Sequence, residues 1–579
     1  MQLDLTENGS LSIPHIELLN NLADGLKSSY HELINRLGTG KEHNIDWWVS
    51  EISSRNTYSN SLFDDYCLLH LVKKVLQEEP DLTGIKVDSL ALKWMLRRYV
   101  RDNYPRIKVS CTAGWKQHLK FIIFPILRYF YAIFVYVTRY LISKFTTKPL
   151  TGRLPAGITL VDVFIFDHSF DGGVFLDRYF GGFDQYLSEK EEQSFFYNPT
   201  LLISFRNTVS TFLAMYRSPQ RFLPQESYLR LSDYIFAFLY PFRALKLIPK
   251  RTVWEEFDLS LLLRSIWYYH LSSFSTIEGL LKYRFAARLR EAGVSLRLVI
   301  DWFENQLVDR GANAGFRKFY PEVPVIGYSS IDLKHYLCMT HPTSQEYGAE
   351  VLPKVIAVCG KGFEASKKAF CPELETITAP AFRYGWVWQE AAGRPDPNYT
   401  TILVALSLLL GEGLNTLRAV IGAAMSDLPA NVRFWVKPHP AAMPMEKLLA
   451  QAGLTLPPGF EVKHGDFSEW AEQADIIVGN ESGTVLEALA RGTPVIIIGH
   501  RSRITVHAIP DAVPQGIWQL CYTSDKVAQA IKYFINRSEE ELQRHQKIAR
   551  LIREQYFEPT TEKSTRKFLQ LEGSLGSAA

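Results

Sequence analysis

Cysteine is scarce in this chain. There are 6 among 579 residues, at Cys67, Cys111, Cys338, Cys359, Cys371 and Cys521, with no CxxC pair and no zinc-like spacing. That excludes a disulfide framework and a structural zinc module, and it fits a reducing compartment. The opening stretch, MQLDLTENGSLSIPHIELL, has neither a basic segment nor an apolar run behind it. No secretory signal is therefore expected, and the cytoplasmic side is. Excess charge is also missing, since 64 Lys and Arg against 61 Asp and Glu leave +3. Such a balance gives no ground for a nucleic-acid partner. Internal repeats and low-complexity tracts are absent from the sequence as well.

One local absence is more informative. From Asn103 to Val161 there is no acidic residue, while Arg106, Lys108, Lys116, Lys120, Arg128, Arg139, Lys144, Lys148 and Arg153 all fall there. Inside lies FIIFPILRYFYAIFVYVTRYLISKF (121–145), apolar and aromatic apart from Arg128, Arg139 and Lys144. Arg128 and Arg139 are about three helical turns apart and so share a face. Burying Arg128 in hydrocarbon is costly, which argues against a spanning helix. The expectation is a membrane-associating helical insertion over 115–148, a hairpin or amphipathic element in the plane of the bilayer. Its apolar face would enter the lipid boundary and its cations would meet anionic headgroups, at the inner face of the cytoplasmic membrane. The alternative is a helix pair buried on the N-terminal sheet.

What is present in quantity is the alternation of strand-like and helix-like runs. A chain of this length exceeds one hydrophobic core, so two large domains are expected. In the first ~110 residues IDWWVSEI, IKVDS and IKVSC read as strands and FDDYCLLHLVKKVLQEE as a helix, an α/β pattern. ITLVDVFIF (158–166), SLRLVIDWF, PVIGYSS and KVIAVCG add strands. The glycine- and proline-bearing AAGRPDPNY (391–399) reads as a linker. This sets an N-terminal domain at 1–390 and a C-terminal domain at 391–579, each Rossmann-like, with the last helix (about 538–557) able to return to the first domain. Beyond the linker TILVALSLLL, VRFWVKPHP, ADIIVGN and TPVIIIG are strands separated by helices, a doubly wound unit.

The chemistry-bearing residues cluster in that second half. VRFWVKPHP ends a strand with Lys437 and His439, and ADIIVGNESGTVLEALARG joins a strand to a helix through Asn480, Glu481, Ser482, Gly483 and Thr484. Ser482 stands at an N-cap position, Gly483 allows close backbone approach, and the helix start offers amides and a dipole to a phosphate. Thr484 can add a hydroxyl. Glu487, one turn on, is placed for ribose hydroxyls, and Lys437 and His439 for positive charge on the phosphates.

KPHP followed by GNESGTVLEALARGTPVI resembles the donor-binding domain of GT-B glycosyltransferases, within it the bacterial surface-carbohydrate proteins of O-antigen and capsule clusters. WWVSEISSRN (47–56) and DWFENQLVDRG followed by VIGYSS (301–330) are similar to the same proteins. The HP dipeptide is similar to that of capsule Kdo transferases and bacterial sialyltransferases, which implies phosphate binding by His439, Ser482 and Gly483. EALARGTPV is shared with UDP-sugar enzymes, which implies ribose binding by Glu487. Where the sialyltransferases have Ser-Ser this chain has Ser482-Gly483, and the QP motif of the Kdo enzymes is absent. Both a CMP-ulosonic acid and a UDP-sugar thus stand as donors.

The resemblance implies a GT-B transferase moving sugar to a lipid-linked or growing surface glycan. It needs no cofactor beyond the nucleotide-sugar substrate and no metal, in keeping with the lack of a DxD after a strand. The acceptor base is expected on an N-terminal loop: Glu304 first, then Asp167 or Asp171 in FDHSFDGG. Other readings are a non-hydrolysing UDP-sugar epimerase, a polyol-phosphate transferase, or a non-catalytic scaffold of a polysaccharide-assembly complex.

Overall fold

A computed structural model describes residues 2–146, 154–331, 338–389, 396–440 and 442–571. The chain begins with a small parallel sheet of β1 (Gln2–Asp4), β2 (Gly84–Val87) and β3 (Lys108–Cys111), in that order. This sheet stands apart from the main N-terminal sheet. Helix α1 (Ile13–Gly38) and the short helices α2 (Ile45–Trp48) and α3 (Glu51–Ser54) follow β1 in the chain, and α1 packs on α3. IDWWVSEI is thus two helical turns where a strand was expected. Asn44 caps the first by accepting from the Asp46 amide at 3.0 Å, and Trp47, Trp48, Ile52, Ser53 and Ser54 are buried. A segment buried on every side carries no periodicity to separate helix from strand.

The main N-terminal sheet has six parallel strands: β4 (Ile158–Phe166), β5 (Phe195–Leu202), β6 (Leu296–Trp302), β7 (Val325–Ser329), β8 (Val355–Val358) and β9 (Glu375–Thr378). Their spatial order is β9-β8-β7-β6-β4-β5, so the winding reverses between β4 and β6. The 115–148 segment is neither a hairpin nor a helix pair. Up to Thr146 it is one helix, α4 (Trp115–Thr146), with Pro125 inside; residues 147 and 148 lie outside the described residues. This half also contains helices α5 (Thr208–Arg217), α6 (Leu231–Phe238), α7 (Ser260–His270), α8 (Phe274–Glu291), α9 (Leu307–Phe319) and α10 (Ser344–Gly348), besides two helices of the first 110 residues, Leu62–Glu78 and Leu90–Asn103. α8 and α9 cross at glycines: a Cβ on Gly311 would lie 1.9 Å from the Gly279 carbonyl oxygen.

Residues 391–395 of the linker lie outside the described residues, together with residue 390 before it. The second sheet has β10 (Thr400–Ala405), β11 (Val432–Lys437), β12 (Phe460–Val462), β13 (Ile476–Gly479), β14 (Val495–Ile498) and β15 (Trp518–Cys521), all parallel. Their order is β12-β11-β10-β13-β14-β15, which is the Rossmann order 3-2-1-4-5-6. β13 and β14 are wholly buried, as strands covered by helices on both faces must be. α11 (Thr484–Arg491) follows β13 and ends at Gly492 with φ 89°, a left-handed cap that glycine adopts without strain.

After α12 (Glu539–Tyr556) the chain returns to the first half. The Glu558 amide donates to the Cys359 carbonyl at 2.7 Å, and α13 (Glu562–Phe568) is held by Arg566 on Glu191 at 2.9 Å. Two parallel α/β sheets facing each other across a cleft, with the terminus crossing back, make up the GT-B architecture.

Candidate functional site

The cleft holds a cavity of about 1480 Å³ between the carboxyl ends of the two sheets, where open α/β sheets bind ligands. From the second domain it is lined by Lys437 and His439 after β11 and by Ser482, Thr484 and Glu487 around the start of α11. The strand–turn–helix therefore brings five of the eight expected donor-site residues to one wall. Thr484 Oγ1 donates to Ser482 Oγ at 2.9 Å, and Ser482 Oγ also accepts from the Thr484 amide at 3.3 Å. Glu487 is buried, and its Oε2 accepts from the Trp386 indole at 2.5 Å. Burial raises its carboxyl above the ordinary value, while Trp386 and the Arg383 guanidinium oppose that.

The other three residues of the turn do not line the cavity. Asn480 donates to Glu412 at 3.3 Å, and Glu481 accepts from the Ser407 hydroxyl. Both point beneath the turn into the switch point between β10 and β13, where burial pushes Glu481 up to about 7 and Glu412 to about 8. Gly483 faces the first domain: a Cβ there would meet Ile331 Cδ1 at 3.3 Å. Its missing side chain serves the approach of the two halves.

The opposite wall comes from elements the sequence reading left unassigned. Arg178 and His168 arise from the loops after β4, and Arg383 and Trp386 from the turns of 382–388 just before the linker. Arg383 makes no hydrogen bond or ion pair among the described residues and is exposed within the cavity. Burial, then Arg178, Arg383 and Lys437, push His439 down to about 4. His439 is therefore neutral at pH 7, and the positive charge expected of it comes from the three cations around it.

The expected base residues lie elsewhere. Asp167 is exposed and accepts from the Ser204 amide at 3.0 Å, fixing the start of the 205–207 turn. Asp171 is exposed at the end of a two-residue hairpin strand, before Gly172 and Gly173 at φ 54° and 87°. This is the left-handed pair that tight hairpins need. The residue this loop does turn into the cavity is His168. Glu304 is half-buried, accepts from Trp302 Nε1 at 2.9 Å and Gln306 Nε2 at 2.5 Å, and stands within electrostatic reach of Arg383 and Tyr179 without lining the cavity. Among the described residues no group of three or more His, Cys, Asp or Glu is arranged to hold a metal ion.

The cationic surroundings of His439 make a testable statement. A bound polyphosphate adds negative charge beside the imidazole and raises its pKa, so binding takes up a proton between the free value, about 4, and the raised one. Affinity should therefore increase as pH falls through that window. Calorimetry of nucleotide binding at about pH 6 in two buffers of different ionisation enthalpy should show the uptake. His439→Gln should remove it, and equal uptake by both proteins would refute the assignment.

No family model and no curated protein matches the chain. Among solved structures it is similar to the Staphylococcus aureus MnaA–UDP co-structure, at 12% identity over 72% of this chain and 98% of that one, with a TM-score of 0.42. It is also similar to CalG4, the calicheamicin glycosyltransferase, at 14% identity over 68% and 95% with a TM-score of 0.35. A third is Acinetobacter baumannii MurG, at 12% over 72% and 99% with a TM-score of 0.36.

Proposed function

We propose that the protein is a GT-B glycosyltransferase that moves a sugar from a nucleotide-activated donor, a UDP-sugar or a CMP-ulosonic acid, to a hydroxyl of a lipid-linked or growing surface glycan. The observation that carries this reading is the meeting of Arg178, Arg383 and Lys437 with the start of α11 in one interdomain cavity, with Arg383 unpartnered among the described residues. Three cations gathered around one helix start, with no carboxylate bonded to any of them among the described residues, imply an anionic ligand, and a helix start offers backbone amides to a phosphate. The same groups meet the charge that develops on a nucleotide leaving group as the glycosidic bond breaks. Glu487, deeper in the wall, receives the ribose, and Trp386 holds its carboxylate in place. His168 takes the acceptor proton, since imidazole suits proton transfer near neutral pH and His168 faces the cavity from the first domain.

The test is incubation with CMP- and UDP-activated sugars, with and without glycan acceptors, followed by mass spectrometry. A product heavier by one sugar, formed only with acceptor and lost in Arg383→Ala, is expected. Isomerisation of a UDP-sugar without acceptor, or transfer of a polyol phosphate, would replace this reading.

A further inference from the structure

Helix α4 is apolar where it should be wet. Leu127 is 62% exposed, Phe130 63% and Phe134 54%, and Trp115 and Phe145 stand open near its two ends. The spacing of 119, 122, 123, 126, 127, 130, 134 and 141 puts these side chains on one stripe. The exposed apolar surface continues on the helices that α4 touches: Val209 and Tyr216 on α5, Leu231 and Ile235 on α6, then Phe242 and Leu245 just beyond. Scattered exposed hydrophobics are ordinary, but a continuous surface of this kind marks an interaction site.

We propose that this face docks on an anionic lipid bilayer, with α4 lying in the membrane plane. The charge pattern selects that occupant. Asn103 to Val161 contains no acid, and from Gln193 to Trp254 the only acids are Glu226 and Asp233, both buried. Lys116, Lys120, Arg206, Arg217, Lys246 and Lys250 are exposed along the same segments. A face that offers apolar side chains and cations and no carboxylate complements anionic headgroups over a hydrocarbon boundary.

The helix is long and apolar enough to cross a membrane, but its attachments exclude that. Arg128 donates to the Tyr269 carbonyl and to Ser272 Oγ at 3.2 Å, Tyr129 to the Phe238 carbonyl at 2.8 Å, and Arg139 to the Leu201 carbonyl at 3.3 Å. Near its C-terminal end Ser143 and Lys144 both bond the Glu226 carbonyl at 3.4 Å. A helix bound to its own domain along its length cannot cross a bilayer without carrying the domain in. The two arginines that share a face thus turn inward, and headgroup attraction falls to the lysines and arginines around the patch. The inference stands independently of the sugar-transfer reading.

The experiment is sedimentation of the full chain with phosphatidylcholine vesicles containing or lacking phosphatidylglycerol. The second protein is the triple variant Ile126→Ser, Leu127→Ser, Phe130→Ser, whose side chains are at least half exposed and belong to none of the buried core. Strong binding to the anionic vesicles is expected, weaker by about tenfold without phosphatidylglycerol. The triple variant should bind roughly 100-fold more weakly, because each large apolar side chain buried in lipid contributes a sizeable factor. Circular dichroism of the variant should match the parent. Failure of the parent to bind anionic vesicles, or equal binding by the variant, overturns the proposal. So does a stable dimer that the variant splits into monomers without any vesicle binding, since the face would then belong to a second copy.

Discussion

Arg383→Ala is expected to lower kcat/KM for sugar transfer by about 10²–10³-fold, with most of the loss in kcat. Three features of this side chain set the size of the effect. It lines the cavity beside Glu487 and within electrostatic reach of His439. It has no hydrogen bond or ion pair among the described residues, so its donors are available to substrate oxygens. Charge-assisted contacts to a phosphate are each worth about 1.5–3 kcal/mol, and they strengthen as the nucleotide departs with its negative charge. Arg383 meets Glu487 and Glu304 only through charge at longer range, so removing it should cost no more than about 1 kcal/mol of stability, the scale of a weak ion pair. Arg383→Lys should recover only part of the rate, because an ammonium cannot replace the bidentate fork of a guanidinium. Steady-state kinetics beside a thermal melt separate these effects. Unchanged kcat/KM in a folded Arg383→Ala protein would remove the leaving-group role.

The second domain was legible because its strands announce themselves. ADIIVGN and TPVIIIG are short apolar runs closed by glycine or proline, and their spacing leaves room for one helix each. That pattern places Lys437 and His439 at the end of one strand and Ser482, Thr484 and Glu487 where the next strand turns into its helix. The opposite wall was not legible. Arg178 and Arg383 are far apart in the chain, and only the folding of the first domain, which brings the 382–388 turns after β9 up to the loop after β4, puts them on one wall. A partial signal existed in FRYGWVW, an arginine among aromatics directly before the linker. Asp167 and Asp171 misled for a local reason. A carboxylate after a strand fits catalysis and turn capping equally well, and the Gly172–Gly173 pair marks the hairpin that carries Asp171 away from the cavity. Asn480 and Glu481 misled for a geometric one, since alternate residues of the turn face opposite sides. The shared face of Arg128 and Arg139 was correctly read from spacing, but spacing does not say which way a face points.

WWVSEISSRN and DWFENQLVDRG, the two N-terminal segments that carry the sequence resemblance, meet in the structure around Glu346. Glu346 on α10 is 1% exposed and contacts two buried guanidiniums, Arg55 at 2.5 Å from the 47–56 segment and Arg310 from α9. It also accepts from Asn305 at 3.1 Å and from the Thr343 amide at 2.8 Å. Arg310 bonds Asn305 in turn at 3.0 Å, so the cluster holds the loop after β6, where Asn305 has φ 57°. Burial alone would raise the Glu346 carboxyl, yet Arg55 and Arg310 hold it below its ordinary value. Burial pushes Arg310 down to about 10, leaving it charged at neutral pH. Glu346→Ala therefore strands two cations out of water, and the expected cost is about 3–5 kcal/mol at pH 7. Because the folded pKa of this carboxyl lies below the unfolded one, its contribution is present above the unfolded value of roughly 4.3. It is lost as pH falls through the folded value, so the gap between variant and parent should narrow in acid. Urea unfolding followed by tryptophan fluorescence at neutral and acid pH measures both quantities. A neutral-pH difference below about 1 kcal/mol, the scale of a surface pair, would show that this cluster does not hold the two segments together.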